Sequence, residues 1–310
     1  MKSYENAFSE ANSDRSCYLC KKSILQRQFT KLGFTIYRCP RCNFFSLNFN
    51  HNYRDFLLSY YREGYFTGDK NVRAYANYQE DKPNISNNAR SLLEKLKHYH
   101  QGGNLLDVGC AMGFFMEEAQ KFGFRSFGIE VSEYAGNFAK QKFNKRVFLG
   151  SVEEFFEKRE SSSIFKDVLF DAVILSDLIE HLQDPRQVLK DIRKILKDNG
   201  IIVIQTGDVD SFWARLVGKN WHFFAPPQHL YFFSKKTLNS LLTQSGYKII
   251  RTVKEGKYLS ISYLLFMTRY MNIPKIGDFL RQLISNTPLN KISLKINLFD
   301  NMIIYAKKNN

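Results

Sequence analysis

The sequence predicts an α/β chain: a doubly wound, mostly parallel sheet with helices on both faces, a small cysteine module at its N-terminal end and a helical cap. Three observations predict it. Apolar runs alternate with amphipathic stretches over residues 104–206, a glycine-bearing turn follows the first of those runs, and two C-x-x-C pairs lie near the N-terminus. The composition of the 310 residues agrees, since 44% are apolar and a core can be built, which excludes disordered and collagen-like classes. Aromatic residues make up 15%, so ring surface is expected in the core and in any cleft.

The first module spans residues 1–50. Two residues separate Cys17 from Cys20, two separate Cys39 from Cys42, and eighteen lie between the pairs. Each C-x-x-C turn aims two sulfurs at one point, and two such turns form a closed tetrahedron. Cys17, Cys20, Cys39 and Cys42 are therefore the expected ligands of a structural zinc ion in a zinc ribbon. Phe29, Phe34, Ile36 and Tyr37 around Gly33 predict the hairpin that brings the turns together. The stretch before Cys17 has no apolar region or cleavage signature of a secretory signal, and no apolar run reaches the ~18 residues needed to cross a bilayer. A cytoplasmic setting is expected, where such thiols hold metal in preference to forming disulfides.

Residues 51–100 predict a helical linker and cap, with Tyr53, Tyr60, Tyr61, Tyr65, Tyr75 and Tyr78 ahead of a helix over 87–99 that places Leu92, Leu93 and Leu96 on one face. Residues 101–310 predict the α/β domain. Strands are expected at 104–108, 126–130, 146–149, 171–175 and 201–206, with helices at 114–122, 134–143 and 187–196 between them. A helix at 235–245 stopped by Gly246, a strand at 247–253 and a last strand at 301–307 complete it. The apolar, basic insert at about 255–297, broken by Pro274 and Pro288, is the second part of the cap.

Asp107-Val108-Gly109-Cys110-Ala111-Met112-Gly113 follows the first strand and opens a helix. Glycines there let the backbone approach a ligand, and the helix start offers free amides. Glu130 ends the next strand, 23 residues after Asp107, placed to accept hydrogen bonds from both hydroxyls of a ribose. The turn lacks the third glycine of a dinucleotide fingerprint and the G-K-[ST] of a P-loop. With Gly128-Ile129-Glu130-Val131-Ser132, it resembles the first two motifs of class I S-adenosylmethionine-dependent methyltransferases, and His229-Leu230-Tyr231-Phe232-Phe233-Ser234 resembles the H-L-x-x-F-S segment of their methyltransferase domain 23 subgroup. That resemblance continues through 170–182, Asp184-Pro185 and 196–200. It implies a Rossmann-like sheet and S-adenosylmethionine as cofactor. Asp107, Gly109, Cys110 and Gly113 would pass under its methionine part, Glu130 would hold its ribose, and Ser151 and Val152 would stand near its adenine, with Ser151 in the place of the usual acid. Ser176 completes the implied cofactor set.

Methyl transfer from a sulfonium requires donor and acceptor held in line, and a hydroxyl acceptor must also lose its proton. Asp177, Glu180 and His181 end the fourth strand, and His229 lies in Pro227-Gln228-His229-Leu230. This set resembles the E-x-x-E-H plus distant His of ubiquinone-pathway and small-RNA 3′-end O-methyltransferases, whose metal gathers substrate hydroxyls, with Asp177 in place of the first Glu. It implies a divalent cation at Asp177, Glu180, His181 and His229; without metal, His229 and His181 are the candidate bases and Asp177 packs near the cofactor. The ring-dense segment 221–234 is expected to serve core and cleft together.

The net charge of +15 invites a nucleic-acid reading, but its distribution argues otherwise. Residues 104–254 carry 21 basic and 18 acidic groups, so the excess sits in 1–103 and 255–310. The ribbon also resembles the zinc module of bacterial sugar methyltransferases; those that methylate carbon have a large further C-terminal domain, and only about 55 residues remain here. Oxygen of a sugar, glycan or lipid-linked small acceptor, with anionic character, is the expected target. A nucleic-acid methyltransferase, with steeply salt-dependent binding, and a non-catalytic zinc-ribbon scaffold are the rival readings. Residues 258–284, with Arg269, Lys275 and Arg281, are also compatible with amphipathic helices at a membrane surface.

Overall fold

The hairpin expected between the cysteine pairs consists of β1 (Gln26–Lys31) and β2 (Phe34–Arg38), and β3 (Phe45–Leu47) extends it. Leu32 and Gly33 turn it, with φ of 55° and 85°, the left-handed pair that suits the twist of a two-residue hairpin. The computed structural model describes residues 16–47, 53–68, 77–268, 274–284, 287, 289 and 292–309. Tyr75 and Arg269 lie outside them.

Two short helices, Tyr53–Tyr60 and Glu63–Thr67, lead to a longer one, Lys82–Leu96. The longer helix starts five residues earlier than its leucine pattern predicts. Pro83 stands in its first turn, where a missing N–H costs nothing and the fixed φ suits a helix start.

The main sheet then begins with β4 (Gly103–Val108), β5 (Phe124–Glu130), β6 (Val147–Leu149), β7 (Phe170–Ser176) and β8 (Leu196–Gly207), all parallel. The chain next returns to the ribbon, where β9 (Tyr231–Phe232) pairs with β3 and becomes the fourth strand of the ribbon sheet. The helix Lys235–Gln244, capped by the Ser234 hydroxyl, leads to β10 (Tyr247–Lys254). The insert follows, and then β13 (Asn301–Lys308), which enters antiparallel between β8 and β10. The order β10-β13-β8-β7-β4-β5-β6 places the switch of winding direction at β4, between β5 and β7. Ligands of doubly wound sheets bind at the carboxyl ends beside such a switch.

The insert differs from a purely helical cap. It opens with β11 (Lys257–Ser260) and closes with β12 (Ser293–Ile296), an antiparallel pair framing the helices Ile261–Met267 and Pro274–Ile284. Tyr258 is thus in a strand, paired with Lys295 of β12, and Asn88 pins it: the Asn88 amide donates to the Tyr258 carbonyl at 3.0 Å, and the Tyr258 N–H donates to Asn88 Oδ1 at 2.7 Å.

The ribbon and the main sheet share one apolar core. Tyr18 stacks near Tyr231 with ring centroids 5.0 Å apart, and its hydroxyl donates to Asp184 at 2.5 Å and accepts from the Arg186 N–H at 2.8 Å. Lys31, 6% exposed, donates its ammonium to the Trp221 carbonyl at 2.8 Å. A buried ammonium is tolerated only where it finds such an acceptor, so this contact fixes the ribbon to the ring-dense segment.

Candidate functional site

A cavity of about 280 Å³ opens at the carboxyl ends of β4, β5 and β7. Seven of the eight expected cofactor residues line it: Asp107, Gly109 and Cys110 at the glycine turn, Glu130 after β5, Ser151 and Val152 after β6, and Ser176 ending β7. Gly113 is not among the lining residues. Its φ of 77° starts the helix Phe114–Lys121, and Phe143 and Ala139 occupy the space a Cβ would need, so its lack of a side chain serves packing. The Cys110 side chain likewise points away, into a cluster with Met116, Ala139, Phe143 and Val147.

Glu130 ties the turn together. One carboxylate oxygen accepts the Ala111 N–H at 2.7 Å and the other accepts the Ser132 N–H at 2.8 Å, while the Gly109 and Cys110 N–H groups donate to the Ile129 carbonyl at 2.9 and 3.0 Å. Burial raises the Glu130 pKa and these amides oppose the rise. Asp107, without comparable donors, is pushed up to about 8 by burial and then by repulsion from Glu130. Ser151 caps the helix Val152–Lys158 through a reciprocal pair with Glu154, which orients the turn beside the cavity.

Beyond the end of β7, Glu180, His181 and His229 each offer a ligand atom within 4.8 Å of the others. The main chain accounts for the convergence: the short turn Ile179–His181 follows β7, and the Leu230 N–H donates to the Glu180 carbonyl at 2.8 Å, bringing the neighbouring His229 across. The His229 Nδ1 lies 2.7 Å from the Phe223 carbonyl, which can only accept, so Nδ1 carries the proton and Nε2 keeps its lone pair. His181 Nδ1 shares a 2.9 Å hydrogen bond with the Tyr61 hydroxyl. Burial lowers the His181 pKa to about 4 and takes His229 well below its ordinary value, so both rings are neutral at pH 7. Glu180 is 1% exposed, and neither carboxylate oxygen has a hydrogen bond of sound geometry among the described residues. Burial, then the Asp177 charge, pushes it up to about 8, only partly offset by the Thr206 hydroxyl and Lys257. An orphaned buried carboxyl between two neutral imidazoles fits a divalent cation with open positions.

Asp177 stands apart from this group. Its backbone takes a φ of 50°, and its carboxylate pairs with Lys257 of β11. Lys257 is the one Lys or Arg among the described residues lining the cavity, against the carboxylates of Asp81, Asp107, Glu130, Glu153 and Asp177. Sequence reasoning missed it, as it missed Tyr61 and Gln205, which also line the cavity. No local pattern marks Lys257: it stands 80 residues from its partner, in an insert whose composition reads only as basic and apolar. The ring-dense segment 221–234 contributes none of the lining residues. Trp221, Phe224, Phe232 and Phe233 are buried, leaving His229 as its contribution to the site.

The four ribbon cysteines also converge within 4.8 Å. Cys17 and Cys42 sulfurs are 3.5 Å apart and those of Cys20 and Cys39 are 3.7 Å apart. Four sulfurs at the Zn–S distance form a tetrahedron with edges of about 3.8 Å, whereas a disulfide brings sulfurs to about 2.05 Å. Burial holds the Cys17 thiol up at about 11, so a cation must displace its proton. The set fits zinc.

Among curated proteins, the chain is 24% identical over 165 residues to an uncharacterised protein of Methanocaldococcus jannaschii, covering 53% of this chain and 74% of that one. It is 29% identical over 157 residues to a ubiquinone biosynthesis O-methyltransferase of Pelagibacter ubique, covering 46% of this chain and 63% of that one, so it spans less than two thirds of that relative. Solved structures with a similar fold include a SAM-dependent methyltransferase from Archaeoglobus fulgidus, with 20% identity, TM-score 0.49, and 74% and 99% of the two chains covered. Another is the magnesium protoporphyrin IX methyltransferase of Synechocystis with bound SAH, with 12% identity, TM-score 0.48, and 79% and 91% covered. The family model described as methyltransferase domain matches residues 78–252, from the cap tyrosine Tyr78 into β10. That match takes in more than half of the sequence together with the glycine turn, Glu130 and the Glu180 group, and the chain belongs to the methyltransferase domain family.

Proposed function

We propose that the protein transfers the methyl group of S-adenosylmethionine to a hydroxyl oxygen of a small acceptor of sugar, glycan or lipid-linked kind. The observation that carries the reading is the group of Glu180, His181 and His229, which meets through His181 the same cavity that Glu130 and the glycine turn line. An amine or thiolate acceptor already carries a nucleophilic electron pair and needs no such group; a hydroxyl does. The similarity to ubiquinone biosynthesis O-methyltransferases supports oxygen as the target.

The glycine turn admits the methionine part of the donor, Glu130 accepts the ribose hydroxyls, and Ser151 and Val152 border the adenine. Apart from Asp107, which burial keeps protonated, the acidic groups facing the cavity favour a cationic sulfonium, and Lys257, the one Lys or Arg among the described lining residues, offers a counter-charge to an anionic group on the acceptor. Glu180, His181 and His229 would hold a divalent cation, whose chemistry there would be to lower the pKa of the acceptor hydroxyl. With the cation in place the acidified hydroxyl gives its proton to water; without it, the neutral His229 or His181 takes the proton. In both cases the oxygen–methyl bond forms as the sulfur–methyl bond breaks, and S-adenosylhomocysteine leaves. Tyr61, Tyr65, Tyr258 and Tyr263 wall the acceptor end and exclude water. Cys17, Cys20, Cys39 and Cys42 hold a structural zinc that rigidifies the ribbon against β9 and hence the approach to His229.

The test is to incubate the protein with methyl-labelled S-adenosylmethionine and cell extract and identify the labelled product by mass spectrometry. Label on oxygen of a small molecule is expected. Label on carbon, on nucleic acid or nowhere refutes the reading.

A further inference from the structure

The outer surface of the insert has the chemistry of a membrane contact. Among the described residues, exposed large apolar side chains concentrate there: Phe279 is 62% exposed, Leu283 59% and Phe299 59%, with Leu280, Leu289 and Ile292 also exposed. Elsewhere the densest such feature is Phe212 with Leu216, on the helix Phe212–Val217 that follows the carboxyl end of β8.

The helix Pro274–Ile284 is two-faced. Gly277 abuts Thr268 and the Leu265 carbonyl of the preceding helix segment, so its side faces the body. At about 100° per residue, Phe279 and Leu283 lie about 200° and 240° around the axis from Gly277, on the opposite side. They stand one turn apart and form a single apolar ridge. Residues 257–299 carry Lys257, Arg269, Lys275, Arg281, Lys291 and Lys295 against the single acid Asp278. An apolar ridge within a strongly basic segment matches an interface that offers hydrocarbon beneath negative headgroups. A protein partner would have to supply both a greasy groove and an acidic rim, whereas an anionic bilayer supplies both over its whole surface.

We propose that this face docks the protein on an anionic lipid surface, with Phe279 and Leu283 inserted and the net positive charge of the insert sequence attracting the headgroups. The opposite aspect of the insert lines the cavity through Lys257, Tyr258, Leu259 and Tyr263, so docking brings the cavity beside the membrane. Among the described residues no helix is long and apolar enough to cross a membrane, so the contact is peripheral and reversible. This inference stands independently of which acceptor is methylated.

The test is flotation of the full-length protein with phosphatidylcholine vesicles containing phosphatidylglycerol, with phosphatidylcholine vesicles alone, and with the variant Phe279→Asp/Leu283→Asp. The wild type is expected to float with the anionic vesicles, to be released by salt, and to remain in solution with the neutral ones. The variant is expected to bind at least about tenfold more weakly while keeping its melting temperature and its affinity for S-adenosylhomocysteine, because both side chains point to solvent. Absence of flotation with anionic vesicles overturns the proposal, as does equal flotation of wild type and variant or equal binding to neutral vesicles. A concentration-dependent dimer that the variant abolishes, without vesicle binding, also overturns it and assigns the face to a second copy of the chain.

Discussion

Replacing Glu130 by Gln tests the cofactor assignment without altering the size of the side chain. Both carboxylate oxygens already accept main-chain N–H groups, from Ala111 at 2.7 Å and from Ser132 at 2.8 Å. An amide has one acceptor oxygen and one NH2 donor, so whichever way the substituted side chain is turned, a donor faces a donor. Hydrogen bonds to a charged acceptor contribute ~1.5–3 kcal/mol each. Losing one of the main-chain bonds and weakening those to the two ribose hydroxyls removes about 3 kcal/mol, or about two orders of magnitude in Kd. Isothermal titration with S-adenosylhomocysteine measures this directly, and thermal melting without ligand separates loss of binding from loss of folding. Glu133, exposed one residue beyond the Ser132 cap, serves as control, and Glu133→Gln is expected to bind as the wild type does. An unchanged affinity in Glu130→Gln would refute the placement of the ribose at Glu130 and with it the use of this cavity for the cofactor.

Cys20→Ser, or prolonged chelation, is expected to bring the zinc content measured by elemental analysis to background and to lower the melting temperature; because β3 pairs with β9, methyl transfer should fall while affinity for S-adenosylhomocysteine stays close to wild type. Glu180→Gln is expected to abolish calorimetric binding of Mg2+ or Mn2+. In the wild type the carboxyl, held up to about 8, must shed its proton to bind, so cation affinity should rise about tenfold per pH unit below pH 8 and then level; a flat profile refutes the site. Asp107, held up to about 8 from an ordinary value of 3.8, binds its proton more tightly in the folded than in the unfolded chain. Its contribution to stability is therefore complete below about pH 4 and is lost as pH rises through 8, by at most about 1.4 kcal/mol per pH unit. Urea titrations without cofactor should show that slope, and Asp107→Asn should flatten it.

The residues legible in the sequence and those that are not differ in how far their reasons reach along the chain. β4 through β8 and the turn at Gly109 are readable because alternation, glycine placement and the strand-ending acid are all local, and a buried parallel strand must be apolar regardless of its neighbours. The ribbon is readable because metal geometry fixes the spacing within each cysteine pair. By contrast, β9 is two residues long and has no pattern of its own: Tyr231 and Phe232 form a strand because β3, 185 residues earlier, offers them an edge. The same holds for Lys257 and Tyr61. One reaches Asp177 from an insert pinned by Asn88, the other reaches His181 from the N-terminal helices, and neither partner is nearer than 80 residues along the chain. The two segments that sequence alone leaves as generic cap thus each contribute a polar group to the region after β7, one to the acid Asp177 and one to the imidazole beside Glu180. On the proposed reading, specificity for the acceptor depends on how the two caps meet over the cofactor residues expected from the local motifs, and substitutions at Tyr61 or Lys257 should change acceptor turnover far more than cofactor affinity.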